Sequence, residues 1–190
     1  MKNKRNNYTV SAILIISVLV VSGCASNKTL YKDPNGLFSV EVPNGWSQST
    51  DSAQITEKLA EKGLGITIVE FKKNNTSIGF VVTSRPQQAP ANLDTNLLVS
   101  ALQAQKLLPE GKQLQKKVFG GIEGMEIVLE GSEINNQLTS GASVVKAKFI
   151  FAVKNDKIIT ITYATDSRIE DFDKNISEAE TIINSFKLLK

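Results

Sequence analysis

The chain has 190 residues, 41% of them hydrophobic and 22% charged, with a formal charge of +3, one Cys and no His. Such a composition excludes collagenous, low-complexity and coiled-coil chains, and the length suits one domain with an appendage. Without His the commonest general base and the commonest metal ligand are both missing, and one Cys allows neither an internal disulfide nor a Cys/His metal cluster.

The N-terminal segment has the pattern of a sorting signal. Lys2, Lys4 and Arg5 precede an apolar run over residues 10–21, VSAILIISVLVV. That run fits the ~7–15 residues of a secretory core and falls short of the ~17–25 that a membrane-spanning helix needs. It ends in Val21-Ser22-Gly23-Cys24, which resembles the lipobox of bacterial lipoproteins: an aliphatic residue, two small residues, then Cys. The resemblance implies that residues 1–23 are a lipoprotein signal peptide and that Cys24 receives a diacylglyceryl group. It also implies anchoring at the extracytoplasmic face of the cell membrane. Two or more acyl chains hold a protein stably where one does not. Cleavage would remove Lys2, Lys4 and Arg5 and leave 19 basic against 19 acidic residues. A neutral domain has no electrostatic footprint for nucleic acid, and no nucleic-acid partner is expected.

Residues 24–29 are small and polar and are expected to be a short tether, with a single domain over 30–190. Asp33-Pro34-Asn35-Gly36 has turn chemistry, since Pro presets φ and Asn-Gly tolerates positive φ. Phe38, Val40 and Val42 then alternate with Ser39 and Glu41, as in a half-buried strand. Pro43-Asn44-Gly45 closes it and delivers the only Trp, Trp46. Asp51-Ser52-Ala53-Gln54 has the form of a helix start, with Ile55 and Leu59 at i, i+4 and Gly63 as a stop.

Two extended runs over 66–71 and 77–84 form a hairpin through Lys72-Lys73-Asn74-Asn75. Asn92 or Asp94 caps a helix through about Leu107, with Leu97, Leu98, Ala101, Leu102 and Leu108 as its apolar stripe. Residues 113–119, 123–130, 143–153 and 157–164 all read as strands. Gly120-Gly121 turns the first pair, and Lys154-Asn155-Asp156-Lys157 turns the last. Ser167-Arg168-Ile169-Glu170 has the pattern of a capping box. Beyond it Ile169, Phe172, Ile176, Ala179, Ile183 and Phe186 keep helical spacing, with Asp171, Lys174 and Glu178 facing water. A helix with such a stripe must cover a sheet. The expected fold is therefore α+β, an antiparallel sheet with helices packed on it.

Three patches carry a family resemblance. The first is the stretch from Tyr31 to Trp46, of the form Y…G-F-S…P-x-G-W; here Leu37 precedes Phe38-Ser39, and Pro43-Asn44-Gly45-Trp46 closes the stretch. The second is the hairpin strand over 157–164, and the third is the terminal helix running into Ile183-Asn184-Ser185-Phe186. Together they resemble the PsbP-like family, named for the extrinsic oxygen-evolving-complex protein of photosystem II. The resemblance implies an α/β/α sandwich over residues 30–190 and a non-enzymatic accessory role. Metal binding in some photosynthetic members depends on His, which this chain lacks, so neither metal nor cofactor is expected.

Chemistry otherwise rests on carboxylates and lysines. Glu123, Glu126, Glu130 and Glu133 read either as the solvent side of a strand or as a hard-cation site. Asp166, Glu170, Asp171 and Asp173 sit where a helix dipole favours anions, without the spacing of a calcium loop. Gly120-Gly121-Ile122-Glu123-Gly124 opens no helix and so fails the context test for a phosphate loop. Lys146 and Lys148 share a strand face, which is either solvated or a contact for an anionic headgroup or acidic partner. Trp46 is either a core plug or, if exposed, an anchor for a partner. The leading functional expectation is a lipid-anchored, extracytoplasmic, non-enzymatic domain that recognises an envelope protein or small ligand. The alternative is a carboxylate-based hydrolase, with or without a cation. Converging carboxylates of raised pKa would distinguish it.

Overall fold

The computed structural model describes residues 27–52, 66–87, 89–135, 137–139 and 143–189. Cys24, the signal segment and most of the helix expected over 51–63 lie outside the described residues. Besides the helical residues 50–52 and a 3-10 turn at Gly131–Glu133, ten strands and two α-helices follow in order among the described residues. They are β1 (Lys28–Lys32), β2 (Phe38–Pro43), β3 (Ser47–Gln48), β4 (Ile66–Lys73), β5 (Thr76–Ser84), α1 (Thr95–Ala104), β6 (Gln115–Phe119), β7 (Ile122–Glu130), β8 (Lys146–Lys154), β9 (Lys157–Thr165), α2 (Ile169–Asn184) and β10 (Lys187–Leu188).

The expected antiparallel sheet is present, with helices on both faces, so the class is α+β. Seven strands form it in the order β3-β4-β5-β9-β8-β7-β6. The β4–β5 hairpin joins the β6-to-β9 meander through β5 and β9, which pair along nine residues from Thr76↔Thr165 to Ser84↔Lys157. A second sheet, β1-β2-β10, was not anticipated. The strand expected around Phe38 belongs to it, and so do Lys28 and Thr29, which had been assigned to the tether. β1 is missed by pattern because only Tyr31 carries a strong inward signal, while Leu30 on the other side is 56% exposed.

One face of the large sheet bears the principal core, which the small sheet and α2 cover together. Phe38 of β2, Phe80 of β5 and Phe186 stack with ring centroids 5.2–5.9 Å apart. The opposite face of β7 and β8 packs Ile127, Leu129, Phe149 and Phe151 against Val99 of α1 and Leu108. In α1, Asp94 is the cap, its Oδ1 accepting the Leu97 N–H at 2.8 Å. The helix stops at Ala104, earlier than expected, and Lys106 takes φ 55°. Its buried residue is Val99, while Leu97 is 39% exposed.

Helix α2 is capped at Arg168 with no side-chain bond, one residue beyond the expected box, and Ser167 instead reaches Asp171. Its inner stripe is Phe172, Asn175, Ala179, Ile182 and Ile183, while Ile169 is 42% exposed. Asn175 fits inside because its Nδ2–H donates to the Asp171 carbonyl one turn back.

Glycine is required at one turn above all. Gly120 and Gly121 take φ 54° and 77°, as a two-residue hairpin of primed type demands. A Cβ on Gly120 would also lie 1.7 Å from the Phe186 carbonyl oxygen.

Candidate interaction site

Strand β8 alternates strictly, so Lys146 and Lys148 share a face with the buried Ile150 and Ala152. That face lies under α2. The two lysines are therefore not on a solvated sheet surface, the plainer of the two readings above. Their side chains are only 13% and 12% exposed. Lys148 Nζ lies 2.6 Å from Glu180 and 3.4 Å from Glu126; Lys117 Nζ lies 2.6 Å from Glu180 and 3.8 Å from Glu126. Lys146 Nζ bridges Glu130 and Asp173, each at 3.0 Å, and sits 4.9 Å above the Phe172 ring.

Trp46 is 7% exposed and belongs to the core. Its Nε1–H donates to Glu178 Oε2 at 2.8 Å, and the Lys73 ammonium holds the same carboxylate at 2.6 Å. Glu178 is thus tied down, contrary to the expectation that it faces water. The reason is helical geometry. Asp171 and Glu178 lie seven residues apart on one flank of α2, and Asp173 and Glu180 lie seven apart on the other. The first pair meets Asn75, Lys73 and Trp46; the second meets Lys146, Lys148 and Lys117. Carboxylates on both flanks clamp the helix to the sheet.

The electrostatics fit clamping. Burial alone would raise the pKa of Glu180, yet hydrogen bonds from Lys117 and Lys148 hold it below the ordinary carboxylate range. Lys73 and then Trp46 lower Glu178, and Asn75 lowers Asp171. For Lys146, burial acts to lower the pKa, but bonds to Asp173 and Glu130 leave it raised. Burial and the nearby Asp33 push Tyr31 up to about 12. Among the described residues every carboxylate with a shifted pKa moves down, the opposite of what a general acid requires.

The acidic residues on β7 and in the turn that follows it do not converge. Glu126 meets Lys117 and Lys148, Glu130 meets Lys146, and Glu133 meets Lys112 at 2.7 Å. Among the described residues no group of three or more Cys, His, Asp or Glu could hold a metal ion.

The open feature lies along the β6 edge of the sheet. β6 is an edge strand. The Gly120-Gly121 turn makes Phe119↔Ile122 the first hydrogen-bonded pair, so Phe119, Lys117 and Gln115 bond β7. The N–H and C=O of Lys116 and Val118 point away from the sheet, and among the described residues no backbone group meets them. Val118 is 63% exposed.

Beside this edge is a cleft of about 510 Å³ between the start of α1, β6, the first half of β7 and the end of β8. It opens because β7 and β8 pair only from Met125↔Phe151 onward. Thr95 Oγ1 accepts the Val153 N–H at 3.0 Å and fixes α1 across its floor. Lys116 and Lys154 are exposed at its rim, with Glu123 also lining it. The sequence pattern predicts an ordinary strand over 113–119, because edge position depends on pairing order, which no local pattern reveals.

No family model matches the chain, and no curated protein does. Solved structures resemble it at the level of the fold. The solution structure of cyanobacterial PsbP (CyanoP) from Synechocystis sp. PCC 6803 aligns at 13% identity and TM-score 0.49, over 88% of this chain and 95% of that one. LpqN, involved in cell envelope biogenesis of Mycobacterium tuberculosis, aligns at 12% identity and TM-score 0.47, over 86% of this chain and 91% of that one. A crystal structure from Bacteroides thetaiotaomicron reaches TM-score 0.52 at 9% identity, with 86% of this chain covering 49% of that one.

Proposed function

We propose that this protein is a lipid-anchored, extracytoplasmic accessory domain without catalytic activity, which recognises an extended segment of another envelope protein. The observation that carries the reading is the β6 edge with its adjoining cleft. Lys116 and Val118 offer free backbone donors and acceptors in the geometry of strand addition, and both line the cleft, Val118 with an exposed side chain. A lysine on an edge opposes self-pairing of like chains, so Lys116 of β6 favours a segment of another protein over a second copy of this chain. The lipobox pattern ending in Cys24 supplies the anchor.

The hydrolase alternative gains no support from the site, since the carboxylates are tied to lysines with lowered pKa values. The test is site-specific photo-cross-linking in cells. A cross-linker at Val118 should give a defined protein adduct, one at the exposed Ile169 should not, and Lys116→Glu should abolish the first. Equal labelling at both positions would refute the edge as the recognition element.

A further inference from the structure

We infer that the outer face of the β1-β2-β10 sheet rests on the anionic surface of the bilayer that holds the lipid. This deepens the anchored reading and depends on it for its geometry. In β1, Tyr31 turns inward and packs on Phe38 and Phe71, at 6.0 and 5.3 Å between ring centroids. Lys28, Leu30 and Lys32 therefore turn outward. Lys187 is opposite Ser39 in the same sheet, and Leu189 has the same parity. The outer face thus presents two leucines, 56% and 39% exposed, among Lys28, Lys32 and Lys187. Among the described residues Glu41 is the one carboxylate on this face, and Lys28 pairs with it at 3.4 Å. Lys32 and Lys187 have no ion-pair partner among the described residues.

Apolar side chains ringed by lysines are the pattern that seats a surface at an anionic interface: the leucines enter the acyl boundary and the ammonium groups meet phosphates. The chain residues 24–190 are formally neutral, so this face is basic by placement and not by overall excess.

Chain length selects the bilayer as the occupant. From Cys24 to Lys28 is four residues, which fully extended reach about 14 Å. A compact domain of 100 residues, with a radius of gyration of about 13 Å, is roughly 34 Å across, so no folded partner fits between this face and an anchoring bilayer. β1 is also the strand that leads directly from the anchor, with Asn44 N–H donating to the Asn27 carbonyl at 2.9 Å to fix the point of entry.

The experiment uses protein purified from membranes and reconstituted in phosphatidylcholine vesicles with or without phosphatidylglycerol. Amide exchange over 28–32 and 185–189 should slow only where phosphatidylglycerol is present, while exchange in α2 stays constant. Lys32→Glu with Lys187→Glu should remove that difference, and Leu30→Ser with Leu189→Ser should reduce it. Equal exchange on both vesicles, with the acyl group verified on Cys24 by mass spectrometry, would overturn the inference. So would slowing that depends on protein concentration and not on lipid, since a second copy would then cover the face. If Cys24 carries no acyl group, the anchor reading fails by that measurement alone. The face is then tested by sedimentation of the acyl-free protein with phosphatidylglycerol vesicles at low salt. Binding reduced on the order of tenfold by the double charge reversal supports it, and absence of binding overturns it.

Discussion

Trp46 and Glu178, 132 residues apart in sequence, are joined by a 2.8 Å hydrogen bond from the indole Nε1–H to the carboxylate. With Lys73 on the same carboxylate, the bond links the turn after β2, strand β4 and helix α2. A single half-exposed side chain thus connects three separately formed pieces of the fold.

Glu178→Ala is expected to cost about 1–2 kcal/mol, because it strands the N–H of a buried Trp without its acceptor. An ordinary exposed substitution such as Lys174→Ala should cost under about 0.5 kcal/mol. Glu178→Gln, which keeps an acceptor and loses the charge, should fall between them. Urea melts of the three variants rank them, and a Glu178→Ala cost no larger than that of Lys174→Ala would refute the tie.

Phe172 is 3% exposed, its ring 4.5 Å from that of Tyr163. Phe172→Ala should cost about 3–5 kcal/mol, the range for truncating a buried aromatic. If α2 were a detachable recognition helix, the same change would leave the melting curve in place.

The two turn glycines separate strain from collision. Gly121→Ala meets open space and only an unfavourable positive φ, so it should cost about 1 kcal/mol. Gly120→Ala adds a collision with the Phe186 carbonyl and should cost about 3 kcal/mol or more. Similar denaturation midpoints for the two would mean that the β6–β7 turn does not press on the chain before β10.

Acid should loosen the helix clamps. A carboxylate whose pKa is lowered on folding contributes stability above its unfolded value, near 4.3, and loses it as pH falls through the folded value. Glu180 and Glu178 both have that sign. Stability should therefore decline below about pH 4.5, and Glu180→Gln should flatten the decline. Lys146 acts at the other end: its raised pKa gives stability that is complete below its unfolded value, near 10.4, and is lost as pH rises through the folded value. Denaturant melts across pH, with and without Glu180→Gln, read both limbs.

Cys24→Ser should abolish incorporation of a labelled fatty-acid analogue. Label retained on the serine variant would refute the lipobox reading.

The sequence announces this fold wherever side-chain period and turn chemistry are local. Asn155-Asp156, Gly120-Gly121 and the alternation in β8 and β9 all place their strands within a few residues. β1 and β10 escape notice because each is short and is defined by pairing with β2, not by its own pattern. The site was harder to read for the same reason. Lys146 and Lys148 are visible as a pair on one face, but whether that face meets water or α2 depends on where a helix starting at Ile169 comes to lie. The open backbone of Lys116 and Val118 carries no local signal, since any strand can end up at an edge.

The pairing of β2 with β10 also sets an order of events. Lys187 meets Ser39 only after nearly the whole domain has been made, and contacts of such separation are slow to close. For a chain exported N-terminus first, β1 and β2 stand beyond the membrane with Phe38 and Val40 uncovered until Phe186 follows them. During that interval the unfinished domain is open to proteases and to chaperones that hold unfolded chains. In the exported, lipid-anchored reading proposed above, its survival would depend on the pace of translocation as well as on the stability of the finished fold.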